Sequence, residues 1–257
     1  MTSPALRLTD VVVRFGGLVA VDGMSLEAPT RSITGLIGPN GAGKSTTFNV
    51  CSGFLTPASG RVELLGDEVT HLSPQARAQR GLGRTFQRMQ LCEGETVREN
   101  VSLGWESRAS GSSPLRQLLA RKGERTACRE AADRALDLCG LHPVSSRTVG
   151  DLSTGQRRLV ELARAIAGGW DVLLLDEPSS GLDKKETFRF GEILRDLAAD
   201  GRALLLVEHD MALVMSVCDY VYVLDFGKPL FEGTPADVAS SDVVRAAYLG
   251  SEAAEVA

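Results

Sequence analysis

"GPNGAGKST", residues 38 to 46, decides how the rest of this chain is read. It satisfies G-x-x-x-x-G-K-[ST], with glycines at 38 and 43, then Lys44 and Ser45. Glycine lets the backbone curl until successive N–H groups face one point, the shape that cradles phosphate oxygens. Gly38, Pro39, Asn40, Gly41, Ala42, Gly43 and Thr46 make up the rest of that cradle. Lys44 brings a positive charge to the outer phosphates, and Ser45 a hydroxyl for Mg²⁺. The flanks supply the context the motif requires. "SITGLIG" before it is a short apolar run that reads as a strand, and a helix is expected from Gly43 to about Gly53.

Working outward, "LRLTDVVVRFGGLVAVDGMSLEA" alternates and is rich in β-branched residues, so two strands turning at Gly16-Gly17 are expected. "GRVELLG" reads as another strand. "WDVLLLDEP" and "RALLLVEHD" read as buried strands on either side of the helix "KKETFRFGEILRDLAADG". Strands alternating with helices imply a largely parallel sheet. "DYVYVLDFGKPLFEGTP" reads as a hairpin turning at Gly227. From about Glu95 to Leu141, long polar helical stretches predominate. They are interrupted by the breaker-rich "SRASGSSP", and the whole reads as a helical insertion in an α/β core.

Two pairs of polar residues stand at the ends of the buried strands. Asp176 and Glu177 follow "VLLL", where the ligand crevice of an open α/β sheet lies. Asp176 is placed to hold Mg²⁺. Glu177 is placed to orient and deprotonate an attacking water. His209 ends "ALLLVEH"; an imidazole there can hydrogen-bond a terminal phosphate, while Glu208 is expected to serve locally. Gln87, in "RTFQR", can reach Mg²⁺ or water through its amide, and Phe15 can stack on a base.

"DLSTGQRRLVELARA", residues 151 to 165, poses a further question. Ser153 stands at an N-cap position, Gly155 leaves the first turn bare, and Gln156 follows. This is a second anion site, made from a helix N-terminus. One phosphate loop has no evident use for it.

Composition narrows the field. The chain has 257 residues and a formal net charge of -5, which argues against nucleic acid as the main partner. The N-terminus "MTSPALRLTD" has no apolar signal segment, and "VLLL" and "ALLLV" fall far short of a membrane span. Five cysteines (Cys51, Cys92, Cys128, Cys139 and Cys218) form no CxxC pair, so thiols in a reducing compartment are expected.

With these stretches in one order, the chain resembles the ATP-binding subunits of ABC transporters. "GPNGAGKS" is similar to their Walker A, "FQ" at 86 and 87 to their Q-loop, and "LSTGQ" to their signature. "LLLDEP" is similar to their Walker B, "SGLD" at 180 to 183 to their D-loop, and His209 to their switch histidine. Phe15 stands where an aromatic stacks adenine, and Thr154 departs from the family's usual glycine. A finer resemblance, in "GLGRTFQRMQLCEGETVRENVSLG", in the stretch from Val207 to Val238, in "VRAAYLG" and in the extra loop near 105 to 123, is to the ATPase subunits of branched-chain amino-acid importers.

The resemblance implies an α/β fold with a P-loop NTPase core and a mostly parallel sheet. An N-terminal antiparallel β-subdomain and an inserted α-helical subdomain complete it. One domain would span 1–257, with the helical subdomain at about 90–165 and a C-terminal hairpin and helices at about 220–257. It implies ATP and Mg²⁺ as ligands and hydrolysis coupled to solute import. Implied partners are a second ATP-binding subunit, integral-membrane permease subunits and a separate solute-binding protein, at the cytoplasmic face of the membrane. It also answers the question of the second anion site. In the family two subunits meet head to tail, so Ser153, Gly155 and Gln156 would serve the partner's nucleotide. The coupling surface is expected near Gln87, with Met89, Leu91 and Val97 as apolar contacts. Related systems that import urea or amides or export lipopolysaccharide are alternatives. An ABC ATPase acting on nucleic acid fits less well, and a P-loop kinase or GTPase offers no reason for "LSTGQ".

Overall fold

The computed structural model describes residues 4–85, 89–109 and 122–255. Two sheets organise them. The first is antiparallel, in the order β2-β1-β4-β5, built from Leu6–Phe15 (β1), Leu18–Ala28 (β2), Ser59–Leu64 (β4) and Asp67–Glu68 (β5). The second has the order β10-β9-β3-β8-β7-β6. Its strands are Ser32–Ile37 (β3), Leu82–Arg84 (β6), Val172–Asp176 (β7), Ala203–Val207 (β8), Tyr220–Asp225 (β9) and Lys228–Gly233 (β10). All its pairings are parallel except the β9–β10 hairpin. The expected α/β architecture is therefore present, with the β1–β2 turn at Gly16-Gly17 and the β9–β10 turn at Phe226-Gly227.

The apolar runs behave as strands buried on both faces should. Along β7, Val172 and Leu174 enter one core with β1, β2, β4 and Phe48, whereas Leu173 and Leu175 enter the other, among the helices. Along β8, Leu205 and Leu204 divide the same way. Nine helices are described: α1 Lys44–Ser52, α2 Pro74–Gln79, α3 Val97–Ala109, α4 Lys122–Cys139, α5 Thr154–Ala167, α6 Lys184–Ala199, α7 Met211–Val217, α8 Pro235–Ser240 and α9 Asp242–Glu255. Helices α3, α4 and α5 pack on one another through Val97, Val101, Ala132, Ala135, Leu136, Val160 and Ala163.

Some readings change. The strand written as "ALLLVEH" stops at Val207, so Glu208 and His209 lie just beyond it, in the turn leading to α7. The short β6 and the small helices α2 and α7 are too brief to give a periodic signal in sequence. Part of the extra loop near 105 to 123, and Gln87 itself, lie outside the described residues.

Candidate active site

The phosphate loop leaves β3 and enters α1 through Gly43, whose φ of 101° is left-handed and which has no side chain to cap the helix. Two of its glycines are sterically required. A Cβ on Gly38 would stand 2.1 Å from the Leu224 carbonyl oxygen, and one on Gly43 would stand 2.7 Å from that of Ala20. The loop thus lies pressed between β9 and β2, and the opening turn of α1 is left facing a cavity of about 430 Å³. Asn40, Gly41, Ala42, Gly43, Lys44, Ser45 and Thr46 line this cavity from one side. Glu177, His209, Leu18, Val19, Ala20, Phe226 and Gly227 complete it. Pro39 is buried behind the loop.

Lys44 folds back over the loop, its Nζ donating to the Gly38 oxygen at 2.6 Å and the Pro39 oxygen at 2.9 Å. Burial pushes its pKa down, while the charges of Glu177 and Asp176 pull it up. Those two acids therefore lie close enough to act on the lysine. They reach it because β3 and β7 flank β8 as parallel neighbours, so the phosphate loop after β3 and the acids at the end of β7 lie at the same edge of the sheet. Glu177 follows with φ of 46°, a conformation that side chains other than glycine adopt at a cost. Its N–H donates to the Val207 oxygen at 2.9 Å, and its Oε1 lies 2.8 Å from His209 Nε2. Glu208 is turned inward. It accepts from the N–H groups of Ser179, His209 and Asp210 and holds the two post-strand turns together.

Asp176 is 7% exposed. Burial raises its pKa, and the adjacent Arg84 opposes that rise. Arg84 Nη2 donates to Asp176 Oδ2 at 3.1 Å, and Nη1 donates to Asn49 Oδ1 and Ser52 Oγ on α1. Its guanidinium stands over the rings of Phe48 and Phe54 at 5.3 and 5.6 Å. Sequence reading missed Arg84; its only signal was its place three residues before Gln87. Phe15 is 52% exposed at the end of β1, which excludes a core role, and the cavity wall is formed instead by Leu18 and Phe226.

The stretch expected to form a second anion site lies elsewhere. Ser153 caps α5: its Oγ accepts from Gln156 N, and Gln156 Oε1 accepts from Ser153 N, both at 3.2 Å. The first turn is not bare, however. Gly155 is buried, and a Cβ there would stand 2.1 Å from Glu186 Oε1. The helix is also tied to the turn after β7, because Arg158 Nε donates to the Ser180 oxygen at 3.2 Å. Asp183 in that turn caps α6 through Lys185 N and Glu186 N. None of residues 153 to 156 lines the cavity of the chain's own phosphate loop.

A family model described as "ABC transporter" matches residues 21–180. The chain belongs to the ABC transporter family. It is an ATPase cassette that binds ATP or ADP. A second model, described as "Branched-chain amino acid ATP-binding cassette transporter", matches residues 228–254. The cassette is 39% identical over 254 residues to the high-affinity branched-chain amino acid transport ATP-binding protein LivG of Salmonella typhimurium, covering 97% of this chain and 99% of the relative. Its backbone is similar to the ADP conformation of MJ1267, an ATP-binding cassette of an ABC transporter. There the TM-score is 0.85 at 33% identity, over 97% of this chain and 100% of that one. It is also similar to MJ0796, an ATP-binding cassette solved as a dimer in a post-hydrolysis state with ADP and Pi. That match has a TM-score of 0.76 at 25% identity and covers 90% of this chain and 98% of that one. No helix among the described residues is long and apolar enough to cross a membrane.

Proposed function

We propose that this cassette energises the import of branched-chain or other hydrophobic amino acids. It would work as a peripheral subunit on the cytoplasmic face of the membrane, beside a second ATPase subunit, permease subunits and a solute-binding protein. The match of residues 228–254 to the branched-chain amino acid cassette model supports the substrate, and the division of the site supports the paired subunits: the phosphate loop, Glu177 and His209 share one cavity, and Ser153 to Gln156 lie outside it. Two chains placed head to tail would complete each other.

Within one site, Lys44 exchanges the carbonyls of Gly38 and Pro39 for phosphate oxygens, and the N–H groups at the start of α1 hold the chain of phosphates. Ser45 and Asp176 offer a hydroxyl and a carboxylate oxygen, hard donors that suit Mg²⁺ held largely by phosphate and water. When bound, Mg²⁺ neutralises charge on the transferred phosphoryl group. Glu177 takes the proton of the attacking water, and His209, within hydrogen-bond reach, orients that carboxylate and contacts the terminal phosphate. Gln87 would add an amide to the same centre.

The membrane partner would seat in the groove between the α/β core and the helical layer, a space of about 450 Å³ lined by Phe54, Arg84, Leu103, Glu161, Arg164 and Trp170. This revises the expected contacts. Val97 is fully buried in the helical core, and Leu91 packs against it, so neither is a free surface; Met89 is half-buried.

Uptake of labelled leucine, isoleucine and valine by cells lacking the gene tests the substrate. Restoration by the wild-type cassette and not by Glu177→Gln supports the reading. Restored urea uptake with unchanged amino-acid uptake refutes it.

A further inference from the structure

The β9–β10 turn carries a residue that its geometry disfavours. The loop is two residues long, Phe226-Gly227, with φ of 44° and 79°. Positive φ at both positions is the signature of a type I′ turn, for which Asn-Gly is the favoured pair. Phenylalanine meets the full steric cost of the left-handed region and has no side-chain amide to offset it. It also leaves its ring in water: Phe226 is 87% exposed, the highest value among the described large apolar residues. On stability alone, the sequence is wrong twice at one position.

The turn is nevertheless held rigidly. Gly227 N donates to the Ala42 oxygen at 3.0 Å, and Asp22 N donates to the Gly227 oxygen at 2.7 Å. Lys228 Nζ lies 3.8 Å from Asp22 Oδ2. A Cβ on Gly227 would stand 2.8 Å from the Ala20 oxygen, so the tip lies flat on β2. Phe226 is thereby fixed at the rim of the cavity that the phosphate loop lines, together with Leu18, which is 65% exposed. Phosphates seated on residues 41 to 46 leave the nucleoside to occupy the remainder of that cavity. Its wall there is apolar and aromatic, which suits the face of a purine.

We infer that Phe226 is a base-binding residue, an aromatic wall of the nucleoside subsite, retained there at the expense of turn stability. The inference rests on the reading of this cavity as the nucleotide site. It predicts effects of opposite sign on binding and on folding, which a residue with a purely structural role would not give.

The test compares wild-type protein with Phe226→Asn and Phe226→Trp, measuring affinity for ADP and for tripolyphosphate without metal, and the melting temperature without ligand. Phe226→Asn should weaken ADP about fivefold or more, change tripolyphosphate less than about twofold, and raise the melting temperature by about 1–3 °C. Phe226→Trp should keep ADP affinity. Unchanged ADP affinity in Phe226→Asn overturns the inference and points to a protein contact at Phe226. An equal loss for ADP and tripolyphosphate overturns it too, because the turn would then act through Ala42 and the phosphate loop. A lowered melting temperature would make Phe226 a packing residue. Wild-type protein that binds neither ligand refutes the nucleotide reading itself.

Discussion

Glu177 combines a left-handed backbone with a carboxylate 2.8 Å from the His209 ring. Its amide analogue has the same shape and cannot accept a proton. Glu177→Gln should therefore keep ATP affinity and lose turnover by about 100-fold or more, measured as phosphate release against equilibrium binding. The cysteines allow a test of burial at the same scale. Burial pushes the thiols of Cys51, Cys139 and Cys218 up to about 12, whereas Cys92 is exposed. Only the thiolate reacts, and at pH 8 a thiol of pKa 12 is ionised in about one molecule in ten thousand. A disulfide reagent on native protein should titrate Cys92 first and Cys128, half-buried, more slowly. The other three should appear only after denaturant is added. Rapid reaction of all five would contradict the packing of both cores.

At the scale of elements, α5 and the turn after β7 are fitted together without slack. Gly155→Ala would drive a methyl group into the Glu186 carboxylate, which the α6 cap holds in place. A cost of about 1 kcal/mol, the worth of the hydrogen bond from Asp183 N to Glu186 Oε2, is expected, seen as a lower denaturation midpoint. In the groove, Leu103 is 38% exposed on α3 and free of the nucleotide cavity. Leu103→Asp should keep basal ATPase and lose stimulation by reconstituted permease subunits; full stimulation would place the partner elsewhere.

These elements also show what could be read in advance. β7 and β8 announce themselves because both faces are buried, so the apolar run is unbroken, and Ser153 announces α5 because capping is local chemistry. Arg84 and Phe226 were not legible. Each acts through a partner far along the chain, Asp176 for one and the cavity beside β2 for the other, and no period or spacing encodes such meetings. The same holds for Val97: its apolar character was evident, but which side of α3 faces the helical core was not.

At the scale of the molecule, residues 153 to 156 and the phosphate cavity belong to one chain but not to one site. Glu177→Gln protein, which should hold ATP without consuming it, is expected to dimerise on adding ATP, alone or with its companion subunit. Adding Ser153→Arg should abolish this, because the long side chain would enter the partner's phosphate pocket. Light scattering decides, and dimers that persist with arginine at 153 would refute the head-to-tail arrangement. The division has a consequence for rate laws. On the proposed head-to-tail reading a lone chain would hold only half of each site and could not hydrolyse ATP by itself, so specific activity in solution should fall on dilution, roughly with the first power of concentration when monomers predominate. Newly made subunits that have not met their transporter would stay idle. Tethering to the permease would relieve the penalty by holding two halves at a high local concentration.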